Sequence, residues 1–321
     1  MKLSWLTLVV ILIAVGIVSM LVGVTQLSLV QVVETLFWGG DYDFVVNQYR
    51  FPRLLLAIAV GAGLGVSGAL VQGVIRNPLA SPDLIGVSAG AGFAATLLLT
   101  ICPDAPVWYL PLAAIFGGVS VGLALVIIAQ AAKLPPARMA LTGIAISAFL
   151  ASGIDFLLVV HPIEINTAMI WLTGSLWGRG WEQLPYIWLG LAILLPIALW
   201  YAWRLDIIGL GDESAIALGV QLEKVQIAAI LSAVMLASLS VSIAGTISFV
   251  GLLAPHLARM LFGHNHKALV IGSALIGALL VLIADAIARG ISPPIELPAG
   301  VLTSIIGAPY FIFLLKRHKG W

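Results

Sequence analysis

The chain has 321 residues, 61% of them hydrophobic and 9% charged, with a formal net charge of +1. Its mean hydropathy of +1.14 is more than a soluble domain of this length calls for, and the apolar runs are continuous rather than alternating, which excludes a barrel. A single cysteine, Cys102, excludes an internal disulfide and any cysteine cluster for metal.

In chain order, apolar stretches of about 18 to 22 residues, the length a hydrocarbon layer of roughly 30 Å requires, predict an all-α polytopic membrane protein of about ten helices. The spans are 4–25, 54–74, 84–101, 108–131, 139–160, 185–203, 225–245, 250–262, 268–289 and 299–316. The first resembles a signal peptide, with Lys2 ahead of an apolar core. No small-x-small cleavage site follows it, so it reads as a retained helix. The eighth is short and carries Pro255, His256 and Arg259, which suits a half-helix buried in protein.

Lysine and arginine set the orientation. With the N-terminus inside, the cytoplasmic face collects Lys2, Arg76, Lys133, Arg138, Arg204, Lys224, Arg259, Lys267, Lys316, Arg317 and Lys319. The outer face receives Arg50, Arg53, Arg179 and Arg289, so both termini are predicted to be cytoplasmic. The long connections 26–53 and 161–184 are then outside, and 204–224 is inside. Trp171, Trp177 and Trp181 in the second predict a short helix along the outer surface. The chain, 1–321, reads as one transmembrane domain. It has no G-x-x-x-x-G-K-[ST] phosphate loop, hence no ATP site of that kind, and nothing in it points to nucleic acid.

The outer arginines admit two readings. Arg50 and Arg53 flank Phe51-Pro52, and Arg289 lies four residues after Asp285. They either snorkel, with Asp285 and Arg289 as an i, i+4 pair, or grip an external carboxylate. The stretch RNPLASPDLIGVSAGAG, 76–92, is broken by Pro78 and Pro82 yet too apolar for a free loop. It reads either as an ordinary turn or as a gate packed back among the helices.

Gly61, Gly65, Gly68 and Gln72 share a face of the second span, a small-residue seam for close helix packing. Gly143, Ser147, Ala151 and Asp155 form an i, i+4 ridge on the fifth, with Ser152 beside it. An acid within a span should face protein or water, so Ser147, Ser152 and Asp155 are candidate pore-lining residues. His256, His264 and His266 have no cysteine or carboxylate close in sequence to complete a metal site, and none is predicted.

The inner connection 204–224 contains GDESAIALGV. Asp212 can cap a helix start, Glu213 suits its positive end, and Gly219 is a natural stop. Ile216, Leu218 and Val220 would supply an apolar patch. Acids at its start disfavour the anionic headgroups, so the helix is better suited to a groove of another protein.

In YRFPRLLLAIAVGAGLGVSGALVQGVIRNPLASPDLIGVSAGAG, ALTGIAIS, WLTGSLWGRGW, LGDESAIALGV, GTISFVGLLAPHLARML and ADAIARGISPPIELPAGVLTSIIGAPYFIFLL the chain resembles a known family. It is that of the permease subunits of bacterial ATP-binding-cassette importers for iron-siderophores, haem and cobalamin. The likeness runs from about residue 45 to the C-terminus, and is greatest to ferric citrate or related ferric-siderophore permeases. It implies the type II ABC importer permease fold in a bacterial cytoplasmic (inner) membrane. The implied partners are a second permease subunit, identical or paralogous, two ATPase subunits, an extracytoplasmic binding protein, and a ferric-siderophore cargo, with cobalamin or haem as alternatives.

Carried onto this sequence, the resemblance places ATPase coupling on Asp212, Glu213, Ser214, Ala215, Leu218, Gly219 and Val220. It places binding-protein docking on Arg50, Arg53 and Arg289, and a cytoplasmic gate on Asn77 and Leu79. No cofactor is implied for this chain. Two rivals stand beside it: an ion-coupled secondary transporter with Asp155 or Asp285 as proton site, and an intramembrane enzyme built on His256.

Overall fold

The computed structural model describes residues 4–132, 134–163 and 165–317, and these fold as helices joined by turns. In chain order they are α1 (Trp5–Leu21), α2 (Leu29–Trp38), a π-helical segment (Phe44–Arg50) running directly into α3 (Phe51–Ile75), α4 (Val87–Ile101) and α5 (Tyr109–Ala131). Next come α6 (Pro136–Val160), α7 (Ile165–Leu172), α8 (Leu184–Ile208) and α9 (Asp212–Ala217). The chain ends through α10 (Leu222–Ala244), α11 (Val250–Phe262), α12 (His266–Gly290) and α13 (Ala299–Arg317). Lys2, Lys133 and Lys319, used above for orientation, lie outside the described residues.

Each predicted span has its helix. Among the described residues α3 with its π-helical lead, α5, α6, α8, α10 and α12 are long and apolar enough to cross a membrane. α1, α4, α11 and α13 are apolar but shorter. The 13 residues of α11 rise about 20 Å, too little to cross alone.

Two further helices fill the long connections. α7 lies within 161–184, but its Trp171 is buried, not spread on a surface, while Trp177 and Trp181 are exposed. α2 starts at a capping box, in which the Ser28 hydroxyl accepts from Gln31 N and the Gln31 side chain accepts from Ser28 N. It buries Val32 and Thr35 and exposes Val30, Val33, Phe37 and Trp38.

α3 is the centre of the bundle. In its most apolar window 78% of residues are buried, against 11% for α6. The glycine face explains how: a side-chain carbon on Gly61 would overlap the carbonyl of Gly277, on Gly65 that of Ser273, and on Gly68 that of Gly251. α3 therefore lies backbone to backbone against α12 and α11, the approach that small residues permit. Gln72 continues the seam, donating to Leu252 O at 3.3 Å and accepting from Arg259 at 3.1 Å.

Candidate functional site

The two ends of α3 each carry a polar constellation. Arg53 stands in its first turn and Arg76 just past its last, about 35 Å apart at helical rise.

At the first end, Arg53 donates from Nε and Nη2 to one carboxylate oxygen of Asp285, at 2.9 and 2.8 Å. Its Nη1 reaches Glu296 at 2.6 Å and the Tyr49 hydroxyl, which itself donates to Glu296 at 2.7 Å. The other oxygen of Asp285 accepts from Arg289 Nε at 3.1 Å, the i, i+4 pair anticipated above. Arg289 also donates to the carbonyls of Val22 and Ser19, each at 3.0 Å, and to the Ser19 hydroxyl at 2.7 Å. Arg50 is held by the carbonyls of Met20, Leu21 and Thr25.

Arg50, Arg53 and Arg289 are thus brought together, but as buried groups, 3%, 1% and 2% exposed, rather than as free surface cations. Snorkelling does not describe them, because their heads bind protein rather than water. Three guanidiniums face two acids. Arg53 and Arg289 take Asp285 between them and Arg53 takes Glu296, while among the described residues Arg50 donates to backbone carbonyls and forms no ion pair. A cavity of about 300 Å³ opens onto Arg50, Arg289, Tyr49, Glu296 and Trp177. Both oxygens of Asp285 are thus engaged by arginines, one by Arg53 and the other by Arg289.

At the other end, Arg76 terminates α3 in the left-handed conformation, φ 53°. The turn that follows is fastened by Asn77, whose side chain accepts from Leu79 N at 2.9 Å and whose carbonyl accepts from Ala80 N at 3.0 Å. Asn77 is exposed and Leu79 half-buried, after which Ala80 to Pro82 and Ile85 to Val87 are buried. The segment does pack back among the helices. Burial pushes the carboxyl of Asp83 up, against the Ser88 hydroxyl that donates to it.

α9 lies beside this turn. Asp212 is its first helical residue rather than its cap, which is Gly211, and its carboxylate pairs with Arg76. The helix ends in a Schellman motif: Gly219, φ 80°, donates to Ile216 O at 2.9 Å and Val220 to Ala215 O at 3.0 Å. Ala215 and Val220 are buried together beneath the motif, so they anchor the helix and are not part of its outward surface. Asp212, Glu213, Ser214, Ile216, Leu218 and Gly219 are exposed, with Ile216 and Leu218 at 61% and 63%. The apolar patch is therefore Ile216 with Leu218, without Val220.

Nearby, His266 receives a carboxylate that sequence distance concealed: its backbone N and ring Nδ1 lie 2.9 and 2.6 Å from Asp206, joining α12 to the end of α8. Among the described residues no three His, Cys, Asp or Glu side chains gather as a metal set. His256 is buried, its ring 6.4 Å from that of Tyr310.

The ridge on α6 divides. Gly143 meets the backbone of Leu84 and Ile85, and the Ser147 hydroxyl donates to Gly143 O beside Gly86. Ser152 and Asp155 lie on the exposed face instead, apart from Ser147. Glu296, Tyr49 and Asp206 escape sequence reasoning. Glu296 sits in ISPPIELPAG, where an acid among prolines ahead of an apolar helix is the signal that could have singled it out.

Residues 11–317 match the FecCD transport family. The chain is 47% identical over 316 residues to the Fe(3+)-citrate import system permease protein YfmE of Bacillus subtilis (strain 168), covering 98% of this chain and 95% of the relative. It is 46% identical over 281 residues to the Fe(3+) dicitrate transport system permease protein FecD of Escherichia coli (strain K12), 88% of each. Among solved structures, an inward-facing conformation of a metal-chelate type ABC transporter superposes with a TM-score of 0.85 at 32% identity, over 98% of both chains. The match reaches back to residue 11, so the likeness does not begin at residue 45 but takes in α1 and α2.

Proposed function

Since the chain belongs to the FecCD transport family, a multi-pass permease and transport subunit rather than an enzyme, we propose that it translocates a ferric chelate of the citrate type across a bacterial cytoplasmic membrane. The relatives named for ferric citrate, at 46% and 47% identity, support that cargo over cobalamin or haem. A relative named for iron(3+)-hydroxamate import, the FhuG permease protein of Bacillus subtilis (strain 168), is 36% identical, which keeps other ferric siderophores as the second reading.

One observation carries the mechanism: α9 is an exposed, acid-headed helix tied by Asp212 to Arg76, one residue before Asn77 and two further from Leu79. In this reading α9 and both termini are cytoplasmic, and α9 seats in one of two ATPase subunits. Glu213, Ser214, Ile216 and Leu218 make the contact while Ala215 and Val220 hold the helix on the permease. Displacing α9 pulls on the end of α3 and on the turn carrying Asn77 and Leu79, the gate. Each partner acts through its differential affinity for two states of the path. No resident cofactor enters this scheme.

α6 calls for the second permease subunit. It is nearly uncovered, and an acid such as Asp155 on a lipid-facing helix would be costly. Facing a second subunit across a central path, Ser152 and Asp155 line that path. At the opposite end the binding protein docks, and an acidic side chain entering the cavity meets Arg50, the arginine without a carboxylate. The experiment is uptake of radiolabelled ferric citrate into proteoliposomes holding the chain with its ATPase and binding protein. ATP-dependent accumulation is expected; uptake driven by an ion gradient without the ATPase would reject the reading.

A further inference from the structure

Arg179 is the outer cation that the Asp285 cluster does not use. It lies in the turn between α7 and α8, and its Nε is sealed from solvent with no hydrogen-bond partner. Burial draws the guanidinium below its ordinary value, and among the described residues no acid draws it back. Arg179 lines a cavity of about 300 Å³ with Trp171, Trp177, Thr167 and Ser175. Trp171 is only 6% exposed, and its indole Nε1 also lacks a partner. Arginine and tryptophan can only donate, the two hydroxyls can donate, and among the described residues none of the lining is an acid.

The frame around this cavity is fixed by backbone contacts. Ser175 N donates to Ala244 O at 2.7 Å, Gly300 N to Gly174 O at 2.9 Å, and the Thr246 hydroxyl to Leu172 O. Gly174 and Gly245 take left-handed φ of 73° and 70°, and a side-chain carbon on Gly245 would overlap the carbonyl of Trp171. A guanidinium partly withdrawn from water without an anion is costly, and a carboxylate would match this donor lining. The volume sits at the small end of roughly 300 to 1,000 Å³ for ligand sites.

We propose that this cavity is a subsite for a small polycarboxylate, with Arg179 as the anchor and the Trp171 indole as a second donor. It rests on the citrate-type reading of the cargo and places one carboxylate of the chelate there during passage. Trp177 walls both this cavity and the one beside Arg50, so cargo released at the docking end is close to Arg179.

The test is isothermal titration of citrate and of ferric citrate into the permease–ATPase complex, without its binding protein, in zwitterionic nanodiscs. Saturable binding is expected, weakened at least about tenfold by Arg179→Gln and partly kept by Arg179→Lys. Trp171→Phe, which removes only the N–H, should weaken it by a smaller factor and covers the case in which Arg179→Gln does not assemble. Unchanged binding in these variants, or no saturable binding to folded wild type, overturns the proposal. Discs with anionic lipid separate the two sources of anion: if they abolish citrate binding, the cavity belongs to a headgroup phosphate and the subsite is rejected. ATP-driven uptake run in parallel keeps the readings apart. Wild-type uptake with undisturbed Arg179→Gln titration rejects the cavity alone, whereas absent wild-type uptake rejects the importer.

Discussion

Arg76 and Asp212, 136 residues apart in sequence, form an ion pair that joins the end of α3 to the start of α9. Both side chains are substantially exposed, so the pair adds only about 0–1 kcal/mol to stability. Its weight is positional. Asp212→Arg should leave insertion and melting unchanged but uncouple ATP hydrolysis from uptake, and the double exchange Arg76→Asp with Asp212→Arg should recover part of the coupling. Transport and ATPase rates on the same proteoliposomes check this.

Glu213 gives a second, separable outcome. It is exposed and has no partner within the chain among the described residues, so Glu213→Arg removes nothing internal. Its effect should be confined to seating α9 in the ATPase. Weaker co-purification of the ATPase with unaltered melting is expected; normal coupled uptake would take α9 out of the drive.

Asp285 is a stability residue. Replacing it with Ala leaves Arg53 and Arg289 buried with one shared acid removed, a loss of about 3–5 kcal/mol for a broken buried pair. Thermal melting of the detergent-solubilised chain should fall steeply for Asp285→Ala, and for Arg53→Ala, which leaves the same carboxylate with Arg289 alone and takes the cation from Glu296.

Docking must therefore be tested through Arg50, since reversing Arg53 would disrupt the fold first. Arg50→Gln, which keeps an amide donor for the carbonyls of Met20, Leu21 and Thr25, should weaken binding-protein capture, with the wild-type affinity falling as salt rises and the variant losing part of that dependence. Surface plasmon resonance at two ionic strengths decides it, and equal affinities would remove Arg50 from the interface.

The glycine seam predicts its own pair of outcomes. Gly68→Ala drives a methyl group into the carbonyl of Gly251, which neither backbone can vacate cheaply; about 1–3 kcal/mol or more of strain is expected. Gly16→Ala is the control, because its added carbon meets Leu54 at an ordinary 3.5 Å. Folded yield and melting compare the two.

The spans, the broken segment after α3 and the small acid-led helix were legible because each follows from local chemistry: apolar length, proline, and a glycine stop. α2 was not, since ten amphipathic residues fall below any span length. The fate of the arginines was hidden for a different reason. Arg53 finds Asp285 and Glu296 more than 230 residues away, and Asp206 finds His266 across 60. Sequence shows which groups want partners; only the packing of α3 on α12 says who they are. Arg179 is the converse, a cation for which folding supplies no acid among the described residues.

The carbonyl-to-glycine registry of α3 with α12 has a mechanical corollary. Two rods touching through main-chain atoms cannot slide past one another without colliding, so they must travel as a single keel through any transport cycle. The amplitude of opening and closing then falls to the loosely held members, α6 above all, and a tilt at its two ends is where movement of the conduit should first be detected.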